Sequence, residues 1–275
     1  MLVCLILMPA IYESNDDIGI RELVNGARKI KDVHLIYQNV ILGYLYKSLY
    51  NITTQLPWYE IIQYTVLLCS FTIISYVLIQ RLQKKYEYVA IIILLNFFTI
   101  ECYVRPQYTK TAGIAASAGL FLVLWSIYKE KAKTWESITG IIFVCLGFMY
   151  RSQEALVCCV LITAVGIYDI YDIIQKKDGN IVKNKIKKAI GISVCLIICI
   201  GVVEGIDFIS YRTSDEWQKY VEYNKMRTEL LDYGFPDYES NQDTYKQLNI
   251  NEDAYQLYSS WNFRDPEKFN ISTMK

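Results

Sequence analysis

Asn15, Asp16 and Asp17 stand together directly after a short apolar run, in Glu13-Ser14-Asn15-Asp16-Asp17. A carboxylate held in place can take the proton of an attacking hydroxyl, which makes Asp16 and Asp17 the candidate catalytic residues. The same acids also favour a helix N-terminus, where they meet the positive end of the dipole. Two further clusters carry the cations a phosphate needs. One holds Glu101, Arg105, Gln107 and Lys110, and the other Arg151, Gln153 and Glu154. Arg105, Lys110, Arg151 and Glu154 are therefore candidate substrate-binding residues, with the single histidine, His34, as a second base or ligand contact. The plain alternative for the arginines is contact with phospholipid headgroups. Glu204 and Asp207 lie three apart and share a helix face within an apolar run, where acids are costly. Pairing with Arg105 or Arg151 to settle that charge competes with a catalytic role for them. Asp172, near Asp169, stands four residues before Lys176, the spacing of a surface helix pair.

The elements that must position these groups are membrane spans. The chain has 275 residues, 53% of them hydrophobic, and equal numbers of basic and acidic residues, 28 each. Zero net charge leaves no field for nucleic acid, and the charges cluster between long apolar runs. Such runs exclude a cytosolic enzyme, a secreted disulfide scaffold and a disordered chain. Spans are expected at 2–12, 58–80, 87–103, 112–128, 137–150, 155–174 and 189–210. The fold class is thus an all-α membrane bundle of about seven spans, 1–210, followed by a small helical tail, 211–275. Segments 81–88, 129–136 and 175–188 carry twelve basic residues, whereas the short turns opposite hold only Arg105, Lys110 and Arg151. By the positive-inside rule the Lys-rich loops are cytoplasmic, which puts the N-terminus inside and 13–57 and the tail outside.

Within 13–57, Ile20, Leu23, Val24, Ala27 and Ile30 recur at helical spacing, with Arg21, Arg28, Lys29 and Lys31 on other faces. That pattern reads as an amphipathic helix on the bilayer surface. Residues 35–50 follow, apolar but interrupted by Gln38, Asn39 and Lys47. They are short for a span and suit a re-entrant or interfacial helix. Were they to span, Asp16 and Asp17 would move to the cytoplasm.

The eight cysteines sit in apolar runs, and no zinc spacing, Gly-rich phosphate loop or Ser/His/Asp set is visible, so the cysteines read as packing residues. The tail holds Trp217, Tyr220, Tyr223, Tyr233, Phe235, Tyr238, Trp261 and Phe263, to pack a small core or stack on sugar rings. Its helix signals are a capping box at Thr213–Glu216, a stop at Gly234, a start at Asp265-Pro266 and another at Ser272. The 11-residue first run, which includes Pro9, and the helix opening at Ser272 make the chain read as a fragment.

An acidic motif after the first span, followed by interfacial helices before the second, resembles the GT-C superfamily of polytopic membrane glycosyltransferases. More closely, it resembles envelope-polysaccharide membrane proteins of Gram-positive bacteria. The resemblance implies transfer of a sugar from a polyprenyl-phosphate donor to an acceptor outside the cytoplasm, in cell-envelope polysaccharide or glycolipid assembly. Asp16 or Asp17 would then be the base, and the other would orient the acceptor or hold a divalent cation, the one cofactor implied. Arg105 and Arg151 would grip the lipid phosphate. The alternatives are a transporter or flippase of lipid-linked saccharides, and a non-catalytic assembly partner. No internal repeat stands out, which counts against transporters built from inverted halves.

Overall fold

The computed structural model describes residues 8, 10–29, 31–129, 132–176, 179–263 and 268–275, with only the backbone of 169, 170, 172–174, 176, 180 and 181. The expected span 2–12, the Asp265-Pro266 helix start and the Asp172–Lys176 pair fall largely or wholly outside the described residues and side chains. Among the described residues the chain is all helical, 78% helix with no strand.

Helix α1 is Asn15–Asn25, entered through an extended Ser14 with Asp16 and Asp17 in its first turn. It starts ahead of the periodic stretch and stops before Ile30, because Gly26 takes a left-handed φ of 86° and turns the chain out. Its inward face is Asp17, Ile20 and Val24. Helix α2, Val40–Ile52, is capped by the Asn39 side chain, which accepts from the Ile41 N–H. Its 13 residues extend about 20 Å at ~1.5 Å per residue, short of a ~30 Å hydrocarbon core. Leu42, Tyr46 and Tyr50 face inward, and Gly43 lies so close to the preceding strap that a Cβ would fall 2.0 Å from the Val33 carbonyl oxygen.

Six longer helices follow: α3 (Trp58–Arg81), α4 (Lys85–Val104), α5 (Tyr108–Tyr128), α6 (Thr134–Tyr150), α7 (Ser152–Lys176) and α8 (Gly179–Tyr211). Among the described residues, α3, α4, α5 and the Val182–Tyr211 part of α8 are the four helices long and apolar enough to cross a membrane, with mean hydropathy between 1.6 and 2.5. α6 and the Ser152–Tyr168 part of α7 are apolar but shorter. These helices fit a multi-pass membrane protein. α4 supports that fit, because Val89, Ile92, Ile93, Leu94, Phe97 and Phe98 all stand exposed on it, a surface that suits lipid rather than water.

α5 and α6 pack through small residues. A Cβ on Gly119 would lie 2.5 Å from the Gly140 carbonyl oxygen, so the two backbones touch. Ala112, Ala115, Ala116 and Ala118 are fully buried on α5. At the end where α5 begins, Ile20 and Val24 of α1, Leu35 of the irregular strap 31–39, Tyr46 and Tyr50 of α2, Tyr59 of α3, Tyr108 of α5 and Tyr150 of α6 share one core.

The chain divides into two compact units, Met1–Asp207 and Phe208–Lys275. In the second, α9 (Asp215–Tyr233) is capped by Ser214, whose hydroxyl accepts from the Trp217 N–H, one residue beyond the expected Thr213. A short 3-10 turn, α10 (Gln242–Gln247), α11 (Glu252–Ser259) and α12 (Ile271–Met274) complete it. Tyr245, Ile250, Ala254, Tyr258 and Phe269 form its core, with Tyr223, Phe235, Tyr238 and Phe263 packed on them. Tyr233 and Trp261 stay exposed.

Candidate functional site

Asp16 and Asp17 are neighbours in sequence, but about 100° apart around the helix, and they meet opposite surroundings. Asp17 is wholly buried. Its Oδ1 accepts from the Tyr59 hydroxyl at 2.7 Å and the Tyr108 backbone N–H at 3.1 Å, and its Oδ2 from the Ser14 hydroxyl at 3.1 Å. These donors come from the start of α3, the start of α5 and the cap of α1, so one carboxylate fastens three elements. Tyr59 in turn accepts from Gln38 Nε2 at 3.1 Å, which commits its proton to Asp17. Burial pushes the Asp17 carboxyl up to about 6, against the hydrogen bonds from Tyr59, Ser14 and Tyr108 that pull it down.

Asp16 is exposed. Its Oδ2 accepts from the Tyr108 hydroxyl at 3.4 Å, and that same hydroxyl accepts from Arg151 Nη1 at 3.1 Å. Arg151 Nη1 also donates to the Thr109 hydroxyl at 3.0 Å, and Nε pairs with Glu154 at 2.8 Å. The Tyr37 and Tyr108 rings stack with centroids 6.0 Å apart, and the Arg151 guanidinium lies 5.8 and 5.5 Å from them. Asp16, Tyr108, Arg151, Thr109, Glu154 and Tyr37 thus form one half-open cluster of acid, cation and aromatic faces.

The other candidates divide. Lys110 is held by Glu13, by Glu101 at 2.8 Å and by the Arg105 carbonyl at 3.3 Å, so its charge ties the α4–α5 turn to the chain ahead of α1. Arg105 is exposed. His34 is brought against Asp32, Nδ1 to Oδ1 at 2.7 Å, and not into the Asp16 cluster. Asp32 also accepts the His34 backbone N–H; burial raises its carboxyl, but these bonds hold it below the usual range.

Glu204 and Asp207 do share a face of α8, but their partners differ from the arginines expected. Glu204 accepts from the Ser152 hydroxyl at 2.8 Å, and Asp207 accepts the Val40 N–H at 2.7 Å, filling an open donor of α2. Asn39 completes this junction, donating from Nδ2 to the Val203 carbonyl at 2.9 Å.

Among the described residues no three His, Cys, Asp or Glu side chains gather as metal ligands. The two aspartates point apart and form no two-carboxylate clamp, so the donor set does not fit a divalent cation held by that pair.

Tyr108, Tyr37, Thr109 and Tyr59 are partners of the candidate residues that motif reading passes over. One signal was present: Asp17 stands three and seven residues before Ile20 and Val24, on the apolar stripe of α1. Compared with known proteins, the chain matches no family model, no curated protein and no solved structure.

Proposed function

We propose that the chain is a multi-pass protein of the bacterial plasma membrane that transfers a sugar from a polyprenyl-phosphate donor to an acceptor on the outer face. In this reading it crosses the bilayer about seven times, with the N-terminus and Lys-rich loops inside and the site and tail outside. The supporting observation is the exposed Asp16 carboxylate, joined through the Tyr108 hydroxyl to Arg151, at the end of the bundle away from the Lys-rich loops.

Asp16 is the general base. As the acceptor oxygen attacks the anomeric carbon, its proton passes to an Asp16 oxygen and the bond from that carbon to the phosphate oxygen breaks. Negative charge grows on the departing phosphate, and Arg151 meets it with guanidinium hydrogens beside the Tyr37–Tyr108 stack. Asp17 has no part in proton transfer, because it is buried and already holds three donors.

Purified chain in liposomes, supplied with polyprenyl-phosphate-linked sugars and a saccharide acceptor, tests this. Asp16→Asn is expected to lower transfer about 10²- to 10⁴-fold, the usual weight of a general base. An unchanged rate in Asp16→Asn would end the assignment. Flipping of a lipid-linked saccharide that ignores Asp16 would favour transport instead.

A further inference from the structure

α5 opens without a cap of its own. Its N-cap residue, Gln107, is extended and makes no side-chain cap hydrogen bond. A helix start leaves its first N–H groups open, and a carboxylate there meets the positive end of the dipole. Asp17 supplies that carboxylate from α1, its Oδ1 and Oδ2 lying 3.1 and 3.4 Å from the Tyr108 nitrogen. The first turn of α5 in turn holds the exposed cluster. The Tyr108 hydroxyl donates to Asp16 and accepts from Arg151, and the Thr109 hydroxyl accepts from the same Arg151 nitrogen. One residue, Tyr108, thus meets the buried acid at its N–H and the exposed pair at its hydroxyl.

Burial works against a charge at this place, and an asparagine would fill the same space with none to bury. What the ionised acid adds is strength, because hydrogen bonds to a carboxylate are about twice as strong as those to a neutral acceptor. The groups that face it are neutral. They are Tyr59 and Gln63 of α3, with Gln38 of the strap behind Tyr59, Ser14 and Tyr12 ahead of α1, and the Tyr46–Tyr150 hydroxyl pair of α2 and α6. One turn along α1, Arg21 pairs with Glu60 of α3 at 3.4 Å, and on α5 and α6 Lys110 and Arg151 pair with Glu101 and Glu154. In the neutral acid one oxygen carries the proton and the other accepts more weakly, so the Tyr108 N–H is held less firmly.

We propose that Asp17 is a positioning residue, setting through the Tyr108 N–H where the Tyr108 hydroxyl joins Asp16 to Arg151, and that its protonation loosens this join. The proposal rests on the reading of Asp16 and Arg151 as the working site. The site is assembled while Asp17 is ionised and slack once it is neutral, a regulation by the pH of the side that α1 faces.

Fluorine NMR of the full chain, labelled with meta-fluorotyrosine in detergent micelles, reads the Tyr108 ring, whose resonance is the one lost in Tyr108→Phe. That resonance should shift as pH falls through about 6, where Asp17 takes its proton. The shift should vanish in Asp17→Asn and survive in Asp16→Asn. Ser14→Ala takes one donor from the ionised acid and leaves Tyr108 in place, so the midpoint should move upward; this variant carries the test should Asp17→Asn not fold. In the transfer assay Asp17→Asn should lower the rate by up to about 10²-fold, the cost of a small misplacement. A Tyr108 resonance indifferent to pH, a shift that persists in Asp17→Asn, a midpoint unmoved in Ser14→Ala, or undiminished transfer in Asp17→Asn would overturn the proposal. A chain that transfers no sugar but shows the Asp17-dependent shift would end the transfer reading and keep this one.

Discussion

Asp17 and Asp16 differ in what a proton does to each, and for Asp17 the consequence is measurable. Its carboxyl is raised to about 6 in the folded chain from an ordinary 3.8, with burial as the leading cause. The folded state therefore holds this proton more tightly than the unfolded chain does. Stability is gained as pH falls through 6 toward 4, and is lost again as pH rises through the same window. The displacement corresponds to an order of magnitude of ~3 kcal/mol at most. Asp17→Asn mimics the neutral acid: its amide oxygen can still accept from Tyr59 and Tyr108, and its amide nitrogen can donate to Ser14. The unfolding midpoint of wild type relative to Asp17→Asn should thus rise between pH 6 and 4 and be flat above pH 7. A difference independent of pH would show that Asp17 titrates normally. Tyr59→Phe removes the hydroxyl that links Gln38 to Asp17, and should destabilise by about 1–3 kcal/mol, the cost of leaving a buried acceptor short of a donor. Chemical denaturation in detergent at pH 7 reads that loss.

Among the elements, the helices were legible as apolar runs cut by charged turns, because a lysine or arginine cannot sit unpaired in hydrocarbon. The expected run 58–80 became Trp58–Arg81, and 112–128 lies within Tyr108–Tyr128. Which face of a helix packs and which meets lipid was not legible. α5 is apolar all round, so hydropathy says nothing of whether Ala112 and Gly119 or Leu124 turns inward; only their size does. The strap ahead of α2 was illegible for another reason. It has no periodicity of its own and is fixed by distant partners, Asn39 by Val203 and Val40 by Asp207. The placing of Tyr37 on Tyr108 depends on that strap, which is why the aromatic half of the candidate site could not be read from spacing. Gly119→Leu tests the small-residue seam. A leucine there meets the Gly140 carbonyl and Val144 at under 3 Å, and should destabilise by at least the 1–3 kcal/mol typical of overpacking. Gly205→Leu on α8 is the comparison, since a Cβ there meets nothing within 4 Å, and its thermal midpoint in detergent should stay near wild type.

For the whole molecule, the decisive quantity is which side of the membrane α1 faces. α2, at 13 residues, is too short to carry the chain across, so α1 and the start of α3 belong on one side, as their shared hold on Asp17 requires. The Lys-rich turns lie at the other ends of the same helices, and in the proposed topology the basic bias puts α1 outside. Asn15 is exposed beside Asp16, so Asn15→Cys reports sidedness without touching the carboxylates. An impermeant thiol reagent should label it in intact cells. Cys102 and Cys145 are buried, and the exposed Cys69 and Cys195 lie midway along apolar helices, so the wild-type background should be low. A second cysteine at Lys133, in the α5–α6 turn, should react only after the cells are opened. Labelling of Asn15→Cys only in opened cells would reverse the topology, and sugar transfer on the outer face would fall with it.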